Sequence, residues 1–422
     1  MSRDKWGRFL NVPKGHLRTV PVCPFGTFWD RSILLTIFQK SIYKLTFVWY
    51  NYNTNKEKGD NMKFVHIADI HFDSPFINLS DRETLGDIRR LDQRKAFKKA
   101  ITYIKENKIP YLFIAGDLYE HNYIKKSTIQ YINNLFEEIP ETKIFITPGN
   151  HDPYLQNSYY NKFEWSKNVH IFHSQFEKTS YENMDIYGYG FDNFYCTDSG
   201  IENLTIQDPS KLNILILHGT INGASLEEKQ YNSVQKKMLE EKGFDYVAMG
   251  HIHKISYKDE PNQRIVYPGS AVSIGFDELG EHGMIVGDIS KENLSLEFVP
   301  LDDKEFVEKR IDVTDILSKE ELIERINEEP IETNQFVKII LVGKRHFEID
   351  TYALYKLVEN MNIIKIKNKT KIYYDLEKMA NENTLKGLFA KEMFEKMQQE
   401  NVTEDEKEIM EKAIEIAFEA LA

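Results

Sequence analysis

The sequence predicts an α/β fold in which mixed β-sheets are packed with helices. Two observations predict it. Short apolar runs alternate with helical or loop segments from Met62 to about Leu301, and two of these runs, 111–115 and 213–217, are almost continuously apolar. Strands that are covered on both faces have this continuous apolar character. The chain has 422 residues, which is enough for two or three domains with separate cores.

Five strands are expected in the first region, which we take as a domain of residues 62–301. They are 63–67, 111–115, 143–147, 213–217 and 245–249. Residues 94–108 are expected to form a helix, because Phe97, Ile101 and Ile104 recur on one side at helical spacing.

A smaller α+β domain is expected at 305–375. Its segments alternate as strand, helix, strand, helix and strand, at 306–312, 318–327, 336–342, 351–359 and 362–367. The last segment, 384–422, is expected to be two amphipathic helices, the second of which begins at a capping-box pair, Thr403 and Glu406. Their apolar stripes are Leu385, Leu388, Phe389, Met393 and Met397, then Met410, Ala413, Ile414, Ala417 and Leu421.

Residues 1–61 differ from the rest of the chain in composition and charge. They carry a net charge of +6, whereas the chain as a whole carries −12, so the remainder carries −18. We interpret 1–61 as an extension that is disordered or does not belong to the natural protein. The codons for Lys58, Gly59 and Asp60 can spell a ribosome-binding site ahead of Met62, which supports this interpretation.

Composition and charge restrict the classes of function. An acidic protein cannot hold nucleic acid by its overall field, so DNA binding would need metal ions, local basic patches or a basic partner. No run of 18 uninterrupted apolar residues exists, so no membrane-spanning helix is expected. The two cysteines do not suggest a disulfide framework, and a reduced, cytoplasmic setting is expected.

Five short motifs place carboxylate, amide or imidazole side chains near the ends of predicted strands, where α/β sheets bind ligands. They are Asp69-Ile-His71, Gly116-Asp117, Gly149-Asn150-His151-Asp152, Leu217-His218-Gly219 and Gly250-His251-Ile-His253. A phosphodiester is anionic, and a pair of divalent ions that share a carboxylate can neutralise it and activate water. Several of these motifs also occur in ordinary turns, but all five in order predict a two-metal phosphoesterase site. Mixed imidazole and carboxylate ligands suit Mn²⁺, Fe²⁺ or Zn²⁺ better than Mg²⁺.

With these motifs the chain resembles the calcineurin-like metallophosphoesterases, and within them the SbcD-type DNA repair exonuclease subunits and the YhaO-like group. The matching segments are 67–75, 115–118, 147–152, 217–219, 249–253, 267–270 and 276–280. The resemblance covers about 62–300 well and extends more loosely to the C-terminal helices. It implies a β-sandwich flanked by helices, in four layers α/β/β/α, followed by a capping domain.

The resemblance also implies a set of metal ligands. Asp117 would bridge two divalent ions, for which Mn²⁺ is preferred and Fe²⁺ or Zn²⁺ are alternatives. The first ion would be bound by Asp69, His71, Asp117 and His253, and the second by Asp117, Asn150, His218 and His251. His151 would be the general acid, or a cation that stabilises the transition state. Its orienting partner is Glu120 or the neighbouring His121, and the sequence leaves both open.

Other residues have weaker signals. Arg94 could bind a phosphate, although a charged residue on a helix usually faces solvent. Tyr154, Tyr119 and Phe191 could stack on bases, although aromatic residues near turns usually pack inside the protein.

The resemblance implies a DNA exonuclease or endonuclease subunit that acts in double-strand break repair. In that family the C-terminal helices bind an SbcC-like coiled-coil ATPase, and homodimers are common. In this chain the helices could dock such a partner or fold back on the chain. Two other functions stay open, namely a phosphoesterase for nucleotides or lipid-linked substrates and a non-catalytic scaffold of an ATPase complex.

Overall fold

The computed structural model describes residues 61–76, 85–223, 231–256, 263–399 and 401–421. Residues 60–422 form one compact unit. The prediction about residues 1–61 falls, except for Asn61, outside the described residues. None of the helices in the described part of the chain has the length and apolar character of a membrane span.

Two mixed β-sheets form the larger part of the fold. The first sheet contains, in spatial order, β11 (Leu294–Pro300), β10 (Gly283–Ile289), β1 (Met62–Ile67), β2 (Tyr111–Ile114), β3 (Lys143–Ile146) and β4 (Val169–Ile171). The second contains β5 (Glu177–Ser180), β6 (Met184–Tyr189), β7 (Leu212–His218), β8 (Tyr246–Gly250) and β9 (Ile265–Val266). Strands β1 to β4 are parallel to one another, as are β6 to β9, whereas β10, β11 and β5 pair antiparallel.

Helices cover the outer faces of both sheets. Two long helices, α1 (Leu85–Asn107) and α2 (Lys126–Glu137), pack on the first sheet through a core that includes Phe97 and Ile129. A short helix, α3 (Tyr159–Lys162), lies in the connection after β3. The second sheet is covered by α4 (Lys236–Lys242) and a 3₁₀ turn at Ile201–Asn203. The sheets face each other across a third core that includes Phe113 and Ile214. The predicted α/β/β/α sandwich is therefore confirmed.

Two of the deviations from the predicted elements occur where polar groups are buried. Helix α1 begins nine residues before the predicted start at residue 94, because Arg89 and Gln93 are buried on its inner side and interrupt the apolar pattern. Strand β6 was not predicted. Its buried Asp185, which pairs with Lys178 and Lys211, breaks an otherwise apolar run.

The elements of the α+β region at 305–375, which we call the smaller unit, occur in the predicted order. Strands β12 (Glu305–Asp312), β13 (Gln335–Val342) and β15 (Ile363–Asn368) form a parallel sheet, and β14 (Lys344–Arg345) pairs with β16 (Lys371–Ile372). Helices α5 (Lys319–Asn327) and α6 (Thr351–Leu357) share a core with this sheet. A short helix, α7 (Leu376–Met379), follows. The division into separate domains at residues 301–305 stays a prediction.

The two C-terminal helices are α8 (Leu385–Met397) and α9 (Glu404–Ala420), and the predicted capping box at Thr403 and Glu406 is present. The helices pack on each other and on α7 through Met393, Ile414 and Phe418. Part of the predicted apolar stripes is therefore used within the chain, whereas Leu385, Leu388 and Leu421 of these stripes are exposed. Ile409 and Ile416, which lie outside the predicted stripes, are exposed as well.

Candidate metal centre

The predicted ligands lie on loops with unusual backbone conformations that follow β1, β2 and β8. Asp69, His71 and Asp117 have φ values of 51°, 52° and 52°, and His251 has 99°. Residues other than glycine rarely adopt positive φ, and such strain concentrates at functional sites. Gly116, with φ 90°, packs directly against the His218 ring, so a side chain there would collide with that imidazole. The backbone therefore brings the ends of β2 and β7 into contact.

The first cluster contains Asp69, His71 and His253, whose ligand atoms lie within 4.8 Å of one another. The two imidazole Nε2 atoms face each other at 3.1 Å. The Nδ1 atom of His71 bonds to Glu120 Oε1 at 2.9 Å, and that of His253 bonds to Glu278. A neutral imidazole that donates from Nδ1 has a lone pair on Nε2. Two such lone pairs cannot bond to each other, but both can bind one cation.

The second cluster contains Asp117, His218 and His251, again with ligand atoms within 4.8 Å of one another. His218 Nδ1 donates to the Ala115 carbonyl at 2.9 Å, so in the neutral ring Nε2 carries a lone pair. This nitrogen lies 3.0 Å from Asn150 Oδ1, which is itself 3.1 Å from His251 Nδ1. Acceptor atoms again converge, and this donor set fits a divalent cation.

Asp117 lies between the two clusters. Its Oδ2 atom is 3.7 Å from His71 Nε2 and 3.4 Å from His218 Nε2. Its Oδ1 atom accepts a hydrogen bond from the His151 backbone N–H at 2.8 Å. The carboxylate is thus placed where a bridging ligand is expected, and its assignment as a metal ligand stays a proposal.

In these clusters, burial and neighbouring carboxylates shift the pKa values of the histidines in opposite directions. Burial lowers the pKa of His218, but Asp117 beside it outweighs burial and raises that pKa to about 9. Burial also lowers the pKa of His253, and its hydrogen bond to Glu278 raises it to about 9. Burial and the charge of His218 lower the pKa of His251 to about 3, and the charge of Asp117 opposes them only in part. In the absence of metal, protons occupy part of the cluster, and a metal ion would have to displace them.

His151 lies beside the ligand clusters and is 44% exposed. Its Nδ1 atom bonds to Glu120 Oε2 at 2.9 Å. Burial lowers the pKa of His151, but the hydrogen bond to Glu120 and the charge of Asp117 raise it to about 9. The ring of His121 instead packs against Phe194 at a centroid distance of 5.8 Å. Of the two partners that the sequence left open, the structure pairs Glu120 with His151.

The sequence does not predict two carboxylates at the site, the buried Asp152 and the partly buried Glu278. Asp152 accepts hydrogen bonds from the backbone N–H groups of Asp117, Leu118 and Gly149 and from the Tyr160 hydroxyl, and so joins the loops after β2 and β3. Glu278 bonds to His253. Asp152 ends the motif Gly149-Asn150-His151-Asp152, and Glu278 lies in the matching segment 276–280, but neither has a sequence pattern that indicates a hydrogen-bond acceptor in the site.

The weaker candidates have other contacts. Arg94 donates to Thr128 Oγ1 at 2.9 Å and lies 3.5 Å from Asp73. The Tyr154 ring packs against His173 at a centroid distance of 4.4 Å. Substrate binding by Arg94 or Tyr154 stays a prediction. Base stacking by Tyr119 and Phe191 is wrong, because both side chains are fully buried.

Comparison with known proteins finds similarity to phosphoesterases and to a nuclease component. Residues 62–255 match the family model of calcineurin-like phosphoesterases. The chain is 24% identical over 277 residues to the uncharacterized metallophosphoesterase YhaO of Bacillus subtilis, with 64% of this chain and 67% of that protein covered. It is 29% identical over 280 residues to a component of the SbcCD nuclease of Staphylococcus epidermidis, with 57% of this chain and 70% of that protein covered.

A third relative is the DNA double-strand break repair protein Mre11 of Methanopyrus kandleri. Identity is 25% over 244 residues, and 52% of each protein is covered. The chain thus matches about half the length of this relative and about two thirds of the other two.

Proposed function

Because residues 62–255 form a calcineurin-like phosphoesterase domain, we propose that this chain hydrolyses phosphodiester bonds of DNA at a two-metal centre. The observation that carries the proposal is the pair of facing imidazole nitrogens, His71 Nε2 and His253 Nε2, which lie 3.1 Å apart beside the buried Asp117 carboxylate. The relatives that are named as a nuclease and as a break-repair protein support DNA as the substrate.

The two clusters and the carboxylate between them would hold the two ions. Asp69, His71 and His253 would bind the first ion, Asn150, His218 and His251 the second, and Asp117 both. The ions would neutralise the phosphodiester and activate water. We expect Mn²⁺ to support the highest activity, because the donors combine imidazole nitrogen with carboxylate and amide oxygen.

His151 would donate a proton to the leaving oxygen. Its Nδ1 atom is bound to Glu120, so Nε2 is the nitrogen that is available to a substrate. The raised pKa of His151 keeps the ring protonated at neutral pH in the metal-free protein. Burial raises the pKa of Glu120, but hydrogen bonds from His151 and His71 lower it to about 2, so this carboxylate stays charged and holds the ring in place.

A local basic surface supports DNA as the substrate despite the acidic chain. Lys365 and Lys367 are exposed on one face of β15, because alternate residues of a strand point to the same side. Lys369 and Lys371 are exposed just beyond them. Lys371 lies 3.7 Å from Glu411, so Lys365, Lys367 and Lys369 are the lysines that we expect to neutralise phosphates along a strand of DNA.

A coiled-coil ATPase is the partner that we propose for the C-terminal helices. The side chains of Leu385 and Leu388 on α8 are 66% and 67% exposed, and those of Ile409 and Ile416 on α9 are 69% and 58% exposed. Exposed aliphatic residues at helical spacing suit a helix-in-groove contact. The residues between these helices, including Met393 and Ile414, hold the pair together.

The test measures the metal content of the full chain and compares its activity on two substrates. After loading with Mn²⁺, elemental analysis should find two ions per chain, and the protein should cleave linear DNA as well as a small chromogenic phosphodiester. Asp117→Asn should abolish both activities, whereas the matched change at an exposed carboxylate, Asp192→Asn, should have no effect. Hydrolysis of the small ester without cleavage of DNA would favour a small-molecule phosphoesterase. At most one bound ion would refute the site.

A further inference from the structure

Glu278 is fixed by hydrogen bonds on both of its carboxylate oxygens. One oxygen, Oε1, accepts from His253 Nδ1. The other, Oε2, accepts from Ser270 Oγ at 2.9 Å and from the Ile274 backbone N–H at 3.1 Å. A carboxylate that holds Nδ1 of an imidazole fixes the direction in which Nε2 points. The position of His253 Nε2 therefore depends on the position of Glu278.

The loop that carries Glu278, which connects β9 and β10, is also held through its main chain. The Glu278 carbonyl accepts from Ser273 Oγ at 2.8 Å and lies 3.0 Å from His282 Nε2. Ser273 is itself tied to two residues outside the loop, since its carbonyl accepts from Arg89 at 2.8 Å and its N–H donates to Asp302 at 3.1 Å. The loop is thus also held by hydrogen bonds to Arg89 and Asp302.

The sheet of the smaller unit packs on the same loop. Phe276, two residues before Glu278, meets the Phe306 ring edge-on at a centroid distance of 4.9 Å. The Lys338 ammonium group lies 4.8 Å from the centre of the Phe276 ring. Phe306 and Lys338 lie on β12 and β13, so the contact joins this sheet to the loop. Ile274 packs into the same apolar cluster.

We propose that Glu278 is a positioning residue for His253 and that the β12–β13 sheet sets its position through Phe276. The inference rests on the proposed metal centre. It adds a mechanical link from the smaller unit to one of the two proposed ion sites, the one formed by Asp69, His71 and His253. A displacement of the smaller unit would move the loop and change the affinity of the ion bound by Asp69, His71 and His253. His218 and His251, which would bind the second ion, make no such contact with this loop among the described residues.

The first test measures metal affinity, without any catalytic readout. Titration calorimetry of the metal-free full chain with Mn²⁺ should show two binding events for the wild type. For Glu278→Gln, one event should weaken by about 10- to 100-fold, the usual effect of removing the partner of a ligating imidazole. The other event should stay within a factor of about two of the wild type. Asp277→Asn makes the same chemical change at the exposed neighbouring carboxylate and should change neither event.

The second test addresses the link to the smaller unit. Phe276→Ala should weaken the same binding event as Glu278→Gln, but by a smaller factor. Leu279→Ala, which truncates an apolar side chain of the same loop that is 50% exposed, should not. Adding Phe276→Ala to Glu278→Gln should cause little further loss, because changes on one path do not add. Thermal melting of the metal-free variants identifies any that fail to fold.

The outcomes separate the two proposals. If the wild type binds fewer than two ions, the proposed metal centre fails, and this inference fails with it. If the wild type binds two ions and folded Glu278→Gln binds both with unchanged affinity, only the positioning role of Glu278 is refuted. If Glu278→Gln weakens one site but Phe276→Ala does not, the link to the β12–β13 sheet is refuted.

Discussion

Glu120 Oε2 accepts a hydrogen bond from His151 Nδ1 at 2.9 Å, while its Oε1 accepts one from His71 Nδ1 at the same distance. One carboxylate therefore orients a ring inside the first ligand cluster and a ring beside it. The two imidazoles lie edge to face at a centroid distance of 4.7 Å. We propose different roles for the two rings, because the His71 Nε2 atom lies 3.1 Å from His253 Nε2, whereas the His151 ring is 44% exposed beside the cluster.

We expect His151→Ala to keep both metal ions and to lose roughly 10²- to 10⁴-fold in turnover, the usual contribution of a positioned acid. The measurement combines elemental analysis with the rate on a small phosphodiester. His121→Ala is the matched control, because its ring packs on Phe194 and not on Glu120, and it should lose much less activity. Loss of a metal ion along with activity in His151→Ala would place His151 among the ligands and remove its role as an acid.

The sequence predicts the clustered residues well because each motif directly follows or ends a strand. The carboxyl ends of parallel strands meet at one edge of a sheet, so the order of the motifs is enough to bring Asp69 near Asp117 on the first sheet and His218 near His251 on the second. The contact between these two pairs depends in addition on how the two sheets pack on each other. The sequence does not predict Glu278, since its contact with His253 depends on how the loop between β9 and β10 folds over the site. Nothing in the local pattern of that loop indicates this contact.

We expect Lys365→Glu with Lys367→Glu to weaken binding of linear duplex DNA and to leave hydrolysis of a small phosphodiester unchanged. Loss of two phosphate contacts should lower the magnitude of the salt dependence, d log K/d log[salt], by roughly 2. The measurement is DNA affinity at several salt concentrations.

Lys319→Glu with Lys356→Glu is the control for this charge reversal. It makes the same change of charge in the same unit, on helices α5 and α6 instead of on the sheet. An equal loss of DNA affinity in both double variants would show that only net charge matters, and the β15 surface would then not be a DNA contact.

In the C-terminal helices, the spacing of the apolar residues alone does not predict which of their side chains are buried. The sequence predicts an apolar stripe on each helix but not which part of it faces the other helix. The structure buries Met393 and Ile414 between the helices and leaves Leu385 and Leu388 exposed. Phe418, which the predicted stripe omitted, is buried against Tyr374. The choice depends on the angle between the helices, which helical spacing does not determine.

We expect Leu385→Asp with Leu388→Asp to abolish copurification with an SbcC-like ATPase without loss of basal phosphodiesterase activity. Both side chains are exposed, so the free energy of unfolding should change by no more than about 0.5 kcal/mol. Lys391→Asp, on the exposed polar surface of the same helix, is the control and should copurify normally. Full-strength copurification of the double variant would refute this docking surface.

The contact between the α/β/β/α sandwich and the β12–β13 sheet should depend on the buried Arg89. Its guanidinium group is fully buried, donates to Asp302 at 2.6 Å and lies 5.5 Å and 5.8 Å from the ring centres of Phe306 and Phe336. Removing one partner of a buried ion pair leaves the other charge uncompensated, which typically costs about 3–5 kcal/mol. We therefore expect Arg89→Ala to lower the free energy of unfolding by about this amount.

The measurement is urea unfolding of the metal-free protein, followed by far-ultraviolet circular dichroism. Arg90→Ala, which removes the next arginine along α1, is the control, because Arg90 pairs with Asp87 near the surface and such pairs contribute about 0–1 kcal/mol. The pair Arg89–Asp302 also positions Ser273 in the loop that carries Glu278, so Arg89→Ala should weaken one Mn²⁺ site as well. A loss of stability no larger than that of Arg90→Ala would show that Arg89 does not stabilise the contact between the α/β/β/α sandwich and the β12–β13 sheet.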